Sequence, residues 1–173
     1  MKVSDFFLKR SIHQQKKKLV ERKPLFVPLK EARHILVFYN IKDQKMVEAF
    51  LESFRMMHKH VTACVYIPDT TSSVFYEGYI PVFAKTDLNR WGLPKDEIAK
   101  KINKARADIL IDLTSQNNFI IQYLMLQHPS KFKVGLKWDD QNLHDFSITV
   151  TDRTDVKYLF GQILFYLQSF HSK

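Results

Sequence analysis

The stretch from Ala107 to Gly135 constrains the fold more than any other part of the chain. Asp108-Ile-Leu-Ile-Asp-Leu113 is an apolar run of strand length, and Thr114-Ser-Gln-Asn-Asn118 is a polar loop. An apolar helix then reaches Gln127, and Lys131-Phe-Lys-Val-Gly135 is a second strand. Strand, short loop, helix and strand make a βαβ unit, whose two strands run parallel because the helix carries the chain back.

A second unit lies upstream. His34-Ile-Leu-Val-Phe-Tyr39 is an apolar run rich enough in branched and aromatic residues for a buried strand. Met46, Val47, Phe50, Leu51, Phe54 and Met57 recur at helical spacing after Asp43, which suits a helix cap. Val61-Thr-Ala-Cys-Val-Tyr-Ile67 is the next strand. Tyr79-Ile-Pro-Val-Phe83 is a short strand that Pro81 confines to an edge. A helix is expected from about Lys95 to Ala105. Phe146-Ser-Ile-Thr-Val150 alternates like a half-buried strand, and Asp152 is placed to cap a last helix carrying Val156, Leu159, Phe160, Ile163, Leu164 and Leu167. The expected fold is a Rossmann-like, mostly parallel α/β sheet of five or six strands with helices on both faces. The natural strand order is 3-2-1-4-5-6, with the strands ending at Tyr39 and Leu113 adjacent at the switch point.

Charge divides the chain unevenly. Its net charge is +9. Residues 1–23 hold eight Lys or Arg against Asp5 and Glu21, a net of +6. Residues 4–20 suit a basic helix with Leu8 and Ile12 on one face, and Pro24 and Pro28 then mark a linker. The expected organisation is a basic leader and linker over 1–30 and one α/β domain over 31–173. The leader could serve a protein partner or an anionic membrane surface, and a homodimer and nucleic acid are further partners that composition leaves open. No apolar run approaches the roughly 20 residues that span a bilayer, and no signal sequence opens the chain, so the expected location is the cytoplasm, with the leader allowing peripheral membrane attachment.

The chain has four glycines, none close to another, so a P-loop and a GxGxxG turn are both absent. One cysteine, Cys64, excludes an internal disulfide and a cysteine-based zinc site. No cofactor, metal site or catalytic residue is expected. Asp139, Asp140, His144 and Asp145 read as a solvated loop, and His58, His60 and Cys64 should point apart.

Two loops carry the candidate ligand residues. Asp112, Thr114, Ser115, Asn117 and Asn118 surround a strand's carboxyl end and a helix start, where hydroxyls and free N–H groups suit a phosphate or sugar oxygen. Helix capping accounts for the same residues. Asn40, Lys42 and Asp43 form the matching loop after the first strand and should face the other set. Lys131-Phe-Lys-Val-Gly-Leu-Lys-Trp138 interleaves cations with aromatics, as a single-strand stacking surface would, although a strand with one buried face explains the same letters.

The Ala107–Leu113 strand, with Lys133-Val-Gly135 in the next, resembles the first half of heptosyltransferase-type GT-B glycosyltransferases over roughly 30 residues. The resemblance implies a transferase acting on a phosphorylated or sugar substrate, with Asp43 near the position of the family's base. Those enzymes pair two nucleotide-fold domains and carry a glycine in the turn that is Asn40-Ile41-Lys42-Asp43 here. The whole-chain pattern, with "ILVFYN", "DILIDLT" and "KFKVG", is similar to a small family of Bacteroidetes proteins of no known activity. The residues favour a non-catalytic binding or interaction module, with a glycosyltransferase-like enzyme as the alternative and nucleic-acid binding third.

Overall fold

A computed structural model describes residues 3–21, 23–69, 77–114, 117–137, 143–149 and 155–169. In chain order the elements are α1 (Val3–Glu21), β1 (His34–Asn40), a 3-10 turn (Ile41–Asp43), α2 (Gln44–Met56), β2 (His60–Ile67) and β3 (Tyr79–Phe83). Then come α3 (Asp96–Asn103), β4 (Ile109–Asp112), α4 (Phe119–Gln127), β5 (Phe132–Leu136), β6 (Phe146–Ile148) and α5 (Val156–Ser169).

The strands form one six-stranded sheet in the order β3-β2-β1-β4-β5-β6. Every pairing is parallel, and β1 lies between β2 and β4 with Val37 opposite both Ala63 and Ile111. This is the Rossmann-like order expected from the two βαβ units. Side chains alternate across the pleat and supply two cores. Ile35, Val37 and Tyr39 face α2 and α5, whereas Leu36 and Phe38 face α3 and α4. Burying each large apolar side chain contributes about 1.5–3 kcal/mol, so both faces need their helices. The Cys64 thiol lies in the second core, and burial raises its pKa, which leaves it protonated and unreactive.

α4 has a sequence, Phe119-Ile-Ile-Gln-Tyr-Leu-Met-Leu-Gln127, that is apolar on nearly all sides. Such a helix must be covered from outside as well as by the sheet. α1 supplies that cover: Leu8 and Ile12 are buried, and Ile12 joins the second core. The Phe7 ring meets Trp91 at a tilt, with centroids 4.9 Å apart, and the Lys9 ammonium sits 5.1 Å above the Phe119 ring. Lys9, Arg10 and Lys17 remain exposed. Among the described residues, no helix is long and apolar enough to cross a membrane.

The proline-bearing segment after α1 does more than tether it. Leu25 N–H donates to Lys131 O and Leu29 N–H to Leu167 O. Val27, Leu29 and Ala32 enter the core beneath α5, and Phe26 meets Phe132 edge-on at 5.0 Å. The chain thus passes from the α4 side of the sheet to the α5 side before β1 begins.

Several local expectations shift. Asp43 stands at the start of α2 without a side-chain capping bond. Asp152 lies outside the described residues, and the cap of α5 is Asp155, whose carboxylate accepts from Tyr158 N–H at 2.9 Å. β5 is buried along its whole length, Lys133 included, so it offers no stacking face. Lys133 is tolerated there because its ammonium donates to the free Leu126 carbonyl near the end of α4.

Candidate functional site

The carboxyl ends of β1 and β4 lie side by side at the point where the chain's direction of winding reverses. Ligands of open parallel sheets bind outside such strand ends. Here Asn40 ends β1 and is buried, while Asn118 precedes α4. Asn118 Nδ2 donates to Asn40 Oδ1 at 3.3 Å across the switch point. The two loops border a cavity of about 220 Å³ lined by Asn40, Ile41, Lys42, Asn117 and Asn118, with Tyr66 and Pro68 from the end of β2. Burial, with Asp69 adding to it, raises the Tyr66 pKa, so its hydroxyl stays a donor at neutral pH. Lys42 is the charged residue of this lining.

The N-terminus of α4 is largely spoken for. Asn118 Oδ1 accepts from Ile120 N–H at 3.0 Å and Ile121 N–H at 3.2 Å, and Asn117 Oδ1 accepts from Gln122 Nε2 at 2.6 Å. Capping and cavity lining are therefore joined in one side chain: Asn118 holds the helix with its oxygen and the opposite loop with its nitrogen.

Asp112 and Thr114 occupy a deeper layer. Asp112 Oδ1 accepts from Thr114 N–H at 2.9 Å and Thr114 Oγ1 at 2.6 Å. Its other oxygen meets His144 Nε2 at 3.2 Å, with both side chains buried. This bond places the Nε2 proton toward the carboxylate. Gly135 makes the pairing possible, since a Cβ there would lie 2.7 Å from His144 Cε1 and 2.9 Å from Asp112 Cβ. A carboxylate so engaged is part of the wall of the fold, and it does not reach into the cavity.

Of the sequence-derived candidates, the structure brings together Asn40, Lys42, Asn117 and Asn118. Asp43 stands next to the cavity loop, half-buried, and its Oδ2 has no hydrogen-bond partner among the described residues. Burial raises its pKa, against the opposing charge of Lys42. Ser115 lies outside the described residues, as do Asp139 and Asp140. His144, read as a loop residue in the sequence, is a buried partner of Asp112. An isolated glycine inside a strand was the signal that something approached the backbone there. Among the described residues no cluster of His, Cys, Asp and Glu suits a metal ion.

Comparison with the curated proteins and with the solved structures finds no match. The model of a family of unknown function, DUF6913, matches residues 4–170, which takes in every element from α1 to α5 except the first residue of α1, and the chain belongs to that family.

Proposed function

We propose that the protein is a non-catalytic binding module whose ligand seat is the cavity at the β1/β4 switch point. The observation that supports this reading is the Asn40–Asn118 contact, which ties two strand-end loops into one polar-lined cavity. Its volume of about 220 Å³ falls below the roughly 300–1,000 Å³ typical of pockets for whole small molecules. The cavity suits one group of a ligand, such as a phosphate or a sugar ring. Lys42 supplies charge for an anion, the asparagine amides and Tyr66 supply directional bonds, and Pro68 gives an apolar edge.

A thermal-shift screen over nucleotides, nucleotide-sugars and sugar phosphates tests the reading. A ligand at a hundredfold excess over its dissociation constant contributes about 2.7 kcal/mol of stability. Lys42→Ala and Asn117→Ala should lose most of that stabilisation. Full retention by both moves the site elsewhere.

One observation favours a second reading, a glycosyltransferase-like enzyme. Asp43 combines a raised pKa with a buried, unpartnered oxygen beside the cavity, and the resemblance to heptosyltransferase-type enzymes assigns a base near that position. A general base needs a pKa lifted toward the working pH. Turnover of a nucleotide-sugar that Asp43→Asn abolishes would replace the binding reading with this one.

A further inference from the structure

The opposite, amino-terminal edge of the sheet carries a larger cleft. Its volume is about 480 Å³, and its lining includes Arg33, His34, Lys104, Arg106, Asp108 and Lys131. These residues precede or open β1, precede β4 and β5, or follow α3, so the parallel topology collects them from distant parts of the sequence.

The charge of the cleft decides what it can hold. Asp108 is the carboxylate of the lining, and it is fully engaged. It accepts from Arg33 N–H at 2.9 Å, His34 N–H at 3.0 Å and the Lys131 ammonium at 2.6 Å. Two helices, α3 and α4, end at the cleft, and each C-terminus carries about half a negative charge. Cations at helix ends often do no more than offset such dipoles. Here Arg33, Lys104, Arg106 and Lys131 bring four positive charges against Asp108 and two half-charges, which leaves an excess of about two. Arg33, Lys104 and Arg106 are exposed and make no ion pair among the described residues.

Aromatic surface lies at the rim. The rings of His34 and His60, the first residues of β1 and β2, stack at 5.2 Å with an interplanar angle of 20°. His60 is exposed, so a flat partner can continue the stack. Cationic grooves with a stacking platform bind single strands, the cations following phosphates and the rings taking bases.

We propose that this cleft binds single-stranded nucleic acid, with Arg33, Lys104 and Arg106 against its phosphates and a base stacked on His60. The site lies at the end of the sheet away from the switch-point cavity, and the two stand or fall separately. Binding here also draws its charge from residues outside the lysine-rich α1.

Fluorescence anisotropy of a labelled oligouridine with the full chain, from 50 to 200 mM salt, tests this. Three phosphate contacts give a slope of log K against log salt of about −2, since each contributes about −0.7 for a single strand. Lys104→Ala/Arg106→Ala should weaken binding at 50 mM salt by about tenfold or more and flatten the slope by about 1.4. His60→Ala should weaken binding by about fivefold or more with the slope unchanged, because stacking releases no counterions. Arg10→Ala/Lys17→Ala on α1 should bind like the parent chain. All five substituted side chains, three outside α1 and two within it, are on exposed positions, and unchanged thermal midpoints confirm the fold. No binding at 50 mM salt overturns the proposal. So does full binding by the Lys104/Arg106 variant, loss in the α1 variant instead, or an unaltered affinity in His60→Ala, which would mark simple polyanion attraction.

Discussion

The imidazole of His144 occupies the space that a side chain at Gly135 would fill, with Cε1 2.7 Å from where a Cβ would stand. Gly135→Ala therefore forces either the ring or β5 to move. The expected cost is about 1–3 kcal/mol, the range for overpacking a dense core. It should appear as a lower urea midpoint with an unchanged slope. In a His144→Ala background the same substitution should cost less than half as much, because the ring is no longer there to collide. Equal costs in both backgrounds would show that Asp112, or the backbone, sets the limit.

His128 gives stability a defined pH dependence. Its Nε2 lies 2.9 Å from the Ala105 carbonyl, and its Nδ1 accepts from Ser130 N–H at 3.1 Å. The neutral ring satisfies both partners, and a proton on Nδ1 would break the second bond. Burial is the main cause that lowers its pKa to about 4 from 6.5, with the Lys133 charge acting the same way and the Ala105 carbonyl opposing. The unfolded chain then binds this proton more readily than the folded one. The stability is present above about pH 6.5 and is lost as pH falls toward 4, by about 3 kcal/mol in all. Urea midpoints measured from pH 7 to 4 should fall for the parent chain and fall less for His128→Gln. Parallel curves would assign the acid response to other groups.

Gly161 points the other way. It lies inside α5, and a Cβ built there meets nothing within 4 Å. Gly161→Ala should stabilise the protein by up to about 1 kcal/mol through helix propensity and a less flexible unfolded chain. A thermal midpoint that falls would mean that the position is covered in solution.

α1 should behave as part of the fold. Ile12 is 4% exposed and packs in the core that α4 shares, so Ile12→Ala should cost about 2–4 kcal/mol. A loss within about 0.5 kcal/mol, the size of an ordinary surface substitution, would place the helix away from α4.

The sheet order was legible because β1 and β4 are short, continuous apolar runs, each followed by a polar loop and a helix. Such runs have few ways to hide both faces other than the middle of a parallel sheet. The Asn40 and Asn118 loops were legible for the same reason, since adjacency of β1 and β4 brings their ends together. The Asp112–His144 pair was hidden by the sequence distance between its members. The apolar character of α4 could be read from its letters, but the identity of its outer cover could not. The densest run of lysines, Lys16–Lys18, lies in α1, whereas the amino-edge cleft draws Arg33, Lys104, Arg106 and Lys131 one or two at a time from separate connections. Only the topology reveals them as neighbours.

The segment from Leu25 to Ala32 also bears on how the protein is made. Its bonds reach Lys131 and Leu167, partners synthesised long after it. On the ribosome, α1 and this segment emerge before α4, β5 and α5, and have no surface to dock on until those elements follow. Their apolar residues wait, exposed, until then, and long-range closure of this kind slows folding. A chain stalled before α5 would therefore present Val27 and Leu29 to chaperones, and α5 would be the helix that locks this segment in place.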